Sequence, residues 1–276
     1  MTLIDLAGWR VRLTCRPDVL AAAVAVRYAA FAAPAGPVAL EAQVTLDGAL
    51  RAAPGPEITV RASVDGCLGS KYLFDTPGFS GIINFASGKA GLALSSAAAL
   101  EDVEYFLRIV YALVADCEGG LLIHAAGLVV DGGVHLFTGQ SGSGKSTVVT
   151  LSPHAIALGD DLILLRPGAD GWTAHGTPFW NAETLQRADQ TASGPLVGIY
   201  KLIQDRTVYV EPLSPAAAAA ELVANCPVVN GLPDRLPGLL ARCRALAQAV
   251  PVARLHFRKD PDFWGVLGCP SKSSGK

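Results

Sequence analysis

The stretch Gly139 to Ser146, reading G-Q-S-G-S-G-K-S, constrains this chain more than any other. It fits the phosphate-loop pattern G-x-x-x-x-G-K-[ST] without a mismatch. Gly139, Gly142 and Gly144 let the backbone turn tightly and aim its N–H groups at phosphate oxygens. Lys145 can reach the β- and γ-phosphates, and the Ser146 hydroxyl is suited to ligate Mg²⁺. The nucleotide-binding set predicted from the loop is Gly139, Ser141, Gly142, Ser143, Gly144, Lys145, Ser146 and Thr147. An apolar run, VHLFT, precedes the loop and predicts a strand. A helix-forming stretch follows it.

Two adjacent carboxylates, Asp160 and Asp161, come soon afterwards. The interval holds a short helix before Pro153 and one strand, close to the shortest crossover that joins parallel strands. Ligands of such sheets sit off the carboxyl ends of the strands. The spacing therefore brings the pair to the loop, facing a bound cation and the terminal phosphate. One carboxylate is enough for the metal. The second suits a base that takes a hydroxyl proton during phosphoryl transfer, or it caps the next turn. His124 lies in the apolar run before D-G-G, a hairpin signal. A lone His there is more often a buried, hydrogen-bonded residue than a functional one.

The rest of the chain reads as α+β. Residues 1–95 predict a small α+β domain with strands at WRVRLTC, ALEAQVTLDGAL and EITVRASVDG. The D-T-P-G at Asp75–Gly78 precedes the phosphate loop and reads as a turn. Residues 96–118 predict a connecting helix, capped by Ser96, with Glu101 and Asp102 in its first turns. Residues 119–268 predict the catalytic domain, with later strands at LVGIYKLIQ, TVYVEPL and VARLHFR. Helices are predicted at SPAAAAAELVAN and LPGLLARCRALAQAV, the first started by Ser214 and Pro215. Residues 269–276 predict a disordered tail.

Composition limits the partners. The chain carries 22 Lys and Arg against 24 Asp and Glu, which gives no basic field for nucleic acid. The N-terminus lacks a secretory pattern, and the longest Ala-rich stretch is broken by Arg27 and Pro34, short of a membrane span. A cytoplasmic protein without membrane attachment is the expectation. Six scattered cysteines predict buried apolar residues rather than ligands or disulfides.

The run IHAAGLVVDGGVHLFTGQSGSGKSTVVTL, followed by LGDDLILL, resembles the catalytic domain of the HPr kinase/phosphorylase-like serine kinases. The nucleotide site of that domain is similar to that of phosphoenolpyruvate carboxykinase. Downstream, HGTPFWN, GPLVGIYKLIQ and VEPLSP resemble the branch found with peptide-tailoring clusters, lasso-peptide kinases included. The resemblance runs from Leu121 to the C-terminus. It implies an HPr-kinase-like phosphate-loop core with a mixed sheet, and a serine kinase using ATP and Mg²⁺. It implies that His124 is the active-site histidine and supports Asp160, that Asp160 accepts the proton, and that Asp161 joins Ser146 on the metal. A homo-oligomer is left open. The Glu- and Gly-rich signature of the bifunctional members is not found, and Thr147 replaces their common acidic residue, so no phosphorylase activity is read from the likeness.

The leading expectation is an ATP-dependent kinase acting on a serine-type hydroxyl of a peptide or small protein. A small-molecule kinase and a nucleotide-binding regulator without transfer are the alternatives. Cationic candidates around the phosphoryl group are Arg187, Lys201, Arg206, Arg254, Arg258 and Lys259.

Overall fold

The computed structural model describes residues 1–16, 18–50, 59–62, 71–75, 78–96, 100–180 and 189–269. The chain forms two compact units. One comprises Met1–Val114 and Gly231–Leu236, and the other Ala115–Asn230 and the residues from Pro237 on.

The first unit is a seven-stranded mixed sheet with helices. Its elements are β1 (Thr2–Leu6), β2 (Trp9–Cys15), α1 (Asp18–Arg27), β3 (Leu40–Leu46), β4 (Thr59–Ala62), β5 (Lys71–Asp75), β6 (Phe79–Asn84), β7 (Lys89–Leu94) and α2 (Leu100–Cys117), the last belonging here as far as Val114. The strand order is β1-β2-β3-β7-β6-β5-β4. Trp9, Val11 and Leu13 alternate inward along β2, as a strand with one buried face requires. Ala7 and Gly8, at φ of 56° and 87°, make the tight turn between β1 and β2. The Ala-rich stretch supplies α1, which buries Leu20 and Val24. Sequence patterning had not marked α1, β1, or the three strands β5 to β7. The turn predicted at Asp75–Gly78 includes residues 76–77, which lie outside the described residues. So do residues 97–99, which separate Ser96 from α2.

The second unit is an eight-stranded mixed sheet with helices. It contains β8 (Leu121–Val130), β9 (Gly133–Thr138), α3 (Lys145–Thr150), β10 (Ile156–Gly159), β11 (Leu162–Gly168), β12 (Gly171–His175), β13 (Ser193–Gln204), β14 (Tyr209–Pro212), α4 (Pro215–Ala224), α5 (Leu236–Ala249), which belongs here from Pro237 on, β15 (Val252–Phe257) and α6 (Phe263–Val266). Ser214 caps α4, its hydroxyl accepting from the Ala217 N–H at 3.3 Å, with Pro215 at the first helical position. Between β8 and β9 the turn residues Asp131 and Gly132 both have positive φ, 50° and 82°, which closes the predicted hairpin in two residues. The overall class is α+β, with the phosphate loop on a strand–loop–helix unit of a mixed sheet.

β9 lies between β8 and β13, antiparallel to the first and parallel to the second. β10 has the same direction as β9 but pairs with β8, so the crossover through α3 passes over one strand rather than landing beside the loop strand. Ala126, Phe137, Tyr200 and Ala253 share a core with Val148 of α3 and with Phe263 and Trp264 of α6. Phe137, Phe263 and Trp264 are fully buried, each contributing about 1.5–3 kcal/mol or more through removal from water. Ser152 fixes Trp264, whose indole N–H donates to the Ser152 hydroxyl at 2.8 Å. Among the described residues, no helix is long and apolar enough to cross a membrane. The tail predicted as disordered falls, apart from Cys269, outside the described residues.

Candidate functional site

The site forms where β9 ends and the chain must leave the sheet. Thr138 is the last residue of β9, and Gly139 follows with φ 146°. Gly142 and Gly144 continue the turn at φ 79° and 112°, values a side chain disfavours. At Gly144 space forbids one as well, since an added Cβ would sit 2.6 Å from Cζ of Phe257. At Gly139 it would sit 2.5 Å from the Ser143 hydroxyl. The loop is thus pressed against the apolar core on one side and against itself on the other. Gln204, at the end of β13, ties it down by donating its side-chain amide to the Gly142 carbonyl at 2.9 Å.

Lys145 is buried, and its ammonium donates to the carbonyls of Gly139 at 2.6 Å and Gln140 at 3.3 Å. Burial lowers its pKa, a shift opposed by the charges of Asp161 and Asp160. Ser143 has a buried hydroxyl with no hydrogen-bond partner in the protein. An unpaired buried hydroxyl costs free energy, and a bound phosphate oxygen would satisfy it. These features fit a phosphate group. Among the described residues, no three His, Cys, Asp or Glu side chains gather to hold a metal unaided. A cation here would rest on Ser146, one carboxylate and the phosphate oxygens, which fits magnesium's usual nucleotide-bound setting.

Asp160 and Asp161 lie between β10 and β11, two strands that pair along the same edge of β8. Gly159 stands opposite Gly127 and Leu162 opposite His124, so the chains run in step and put Asp160 opposite Ala126 and Asp161 opposite Ala125. The N–H of Ala125 donates to the Asp161 carbonyl at 2.9 Å. Ala126 belongs to the face covered by α3, and Asp160 accordingly meets that helix: the Ser146 hydroxyl donates to its Oδ2 at 3.2 Å. Asp161 instead contacts His124, Nε2 to Oδ1 at 3.2 Å. Both carboxylates are buried. The expectation had paired His124 with Asp160 and Ser146 with Asp161; these two contacts run the other way. Both aspartates sit in the bend that joins β10 to β11, where strand alternation does not set the direction of their side chains. Sequence spacing brings both residues near the loop but leaves open which meets which, because that depends on how the bend between β10 and β11 turns their side chains.

A cavity of about 610 Å³ adjoins the loop. Its walls include His124, Gly139 to Ser143, Lys201, Gln204, Glu221 and Asn225. Of the predicted cations, Lys201 lines this cavity. Arg254 is paired with Glu211 at 3.0 Å, and Arg258 is held by Asp260 and Asp262. Arg187 lies outside the described residues. Glu221 and Asn225, on and just after α4, were not singled out from sequence. The signal available was weak: a lone Glu in an otherwise Ala-rich helix.

No curated protein matches the chain. Among solved structures, the Hpr(Ser) kinase/phosphatase from Coxiella burnetii is similar at 12% sequence identity and a TM-score of 0.29, covering 50% of this chain and 85% of that one. The model of the SynChlorMet cassette protein ScmC family matches residues 95–234, which contain the loop, both aspartates, His124, Lys201 and Glu221. That match spans half of the chain, and the chain belongs to the SynChlorMet cassette protein ScmC family.

Proposed function

We propose that the chain is an ATP-dependent kinase that transfers the terminal phosphoryl group to a serine-type hydroxyl of a peptide or small protein. The observation that carries this reading is the convergence, on one phosphate loop, of two buried carboxylates with different partners: Asp160 on Ser146 and Asp161 on His124. A binder of nucleotide needs the first pair. The second suits chemistry on a proton.

Bound magnesium–ATP supplies the phosphoryl group and a cation to screen its charge. The loop N–H groups and Lys145 bind the phosphates, and Ser146 with Asp160 would hold the cation. Asp161 takes the proton of the acceptor hydroxyl on its carboxylate as that oxygen bonds to the terminal phosphorus and the bond to the bridging oxygen breaks. His124 orients Asp161 through the 3.2 Å contact. This division reverses the roles that the family resemblance implies for Asp160 and Asp161, and it follows the contacts each makes.

The test is incubation with ATP labelled in its terminal phosphate, in the presence of hydroxyl-bearing peptides and, separately, of hydroxylated metabolites. Labelled phosphoserine in a peptide is the expected product. Label recovered solely in a metabolite would replace the peptide reading with a small-molecule kinase. Nucleotide binding without any transfer would leave a regulator.

A further inference from the structure

Two strands carry the polar side of the site, and their register is the starting point. Thr138 of β9 stands directly beside Lys201 of β13. Residues paired across neighbouring strands share a face, and both reach Glu221 on α4. The Lys201 ammonium donates to Glu221 Oε2 at 2.5 Å, and the Thr138 hydroxyl donates to Oε1 at 3.4 Å. Asn225 donates its side-chain amide to the same Oε1 at 2.9 Å. The N–H of His124 donates to the Asn225 carbonyl at 2.7 Å. Glu221 is thus fixed from three sides, while half-exposed Lys201 stays at the cavity wall. An ammonium has three donors, and one suffices for Glu221.

Lys201 is the one Lys or Arg among the residues lining the cavity beside the loop. The loop's own lysine, Lys145, is turned to the Gly139 and Gln140 carbonyls. The cavity is walled by Gly139 to Ser143 of the loop and by His124, which contacts Asp161, and charge spread over a phosphoryl group's oxygens there calls for fixed donors.

We propose that Lys201 is a catalytic residue that contacts the phosphoryl group in transit on the acceptor side, with Glu221 as the positioning residue that aims it. Lys201 keeps its three protons throughout and contributes charge and hydrogen bonds alone. Nothing in the loop motif requires a lysine there. The inference rests on the kinase reading above and deepens it.

The experiment measures affinity for ADP with magnesium, with and without aluminium fluoride, a stand-in for the phosphoryl group in flight. Wild type binds the aluminium fluoride complex tighter than ADP by about 10²-fold or more. In Lys201→Met the affinity for ADP alone stays within about threefold of wild type, and the tightening falls by about 10²-fold. Lys201→Arg keeps a cation and retains most of the tightening. Glu221→Gln, which leaves Lys201 unaimed, loses part of it with ADP affinity unchanged. Full tightening in Lys201→Met overturns the proposal, and so does Lys201→Arg failing as completely as Lys201→Met. Wild type that binds ADP without any tightening overturns the kinase reading and this inference with it. That failure is read in wild type alone, so the two are told apart.

Discussion

The two units share surface ion pairs but differ in where they bury charge. In the first, charged side chains pair at or near the surface: Asp5 with Arg10 at 2.7 Å, Glu41 with both Arg12 and Lys89, and Glu104 with Arg27 and Arg108 at 3.0 and 2.9 Å. Lys89, through hydrogen bond and charge, and then Arg12 hold the exposed Glu41 carboxyl below its usual range. Such pairs contribute little to stability and mark no chemistry. In the second unit Asp160, Asp161 and Lys145 are buried and converge where a strand ends. Cavity size would mislead here. The larger cavity, about 760 Å³, lies on strands β3, β5, β6 and β7 of the first unit, among alternating sheet residues such as Gln43, Thr45, Ile82 and Ala93. The smaller one, beside the loop, has the buried charge. Convergent buried polarity, rather than volume, locates the candidate site.

The largest expected effect separates the units. Gly144→Ala places a Cβ at φ 112° and 2.6 Å from Phe257, so the loop must open. ATP binding should be lost by a factor of at least about 10², read by titration calorimetry, while the first unit keeps its structure. Next comes the converse. Phe74 is fully buried against Phe79 and Phe106, at ring distances of 6.2 and 5.7 Å. Phe74→Ala should lower unfolding free energy by about 3–5 kcal/mol in denaturant melts, with ATP affinity unchanged where the protein remains folded. A parallel loss of ATP affinity there would break the contrast. The smallest effect belongs to Glu41→Gln, which should leave the denaturant midpoint and transfer essentially unaltered.

The contrast also explains what could be read from the chain alone. Local chemistry was legible. The loop declared itself by glycine spacing, the hairpin by D-G-G, and α4 by Ser214 and Pro215. That the aspartate pair comes near the loop was legible as well, because a short crossover limits how far it can lie from Ser146. The site's wiring was not. Asp160 meets Ser146 and Asp161 meets His124 in the bend that joins β10 to β11 alongside β8, a strand some 35 residues earlier in sequence. The Glu221 anchor of Lys201 was hidden for the same reason, since 20 residues separate the two. In the first unit the Ala-rich stretch announced only that it could not span a membrane. Its role as α1 depends on Leu20 and Val24 finding a core supplied by other strands.

The division of labour between the two aspartates is the point on which the account stands, and magnesium dependence tests it directly. ATP affinity is measured with and without magnesium in wild type, Asp160→Asn and Asp161→Asn. Wild type and Asp161→Asn should bind more tightly with the cation, and Asp160→Asn should lose most of that gain, by about tenfold or more. Asp161→Asn losing the magnesium effect while Asp160→Asn keeps it, or wild type failing to bind ATP at all, would contradict the account.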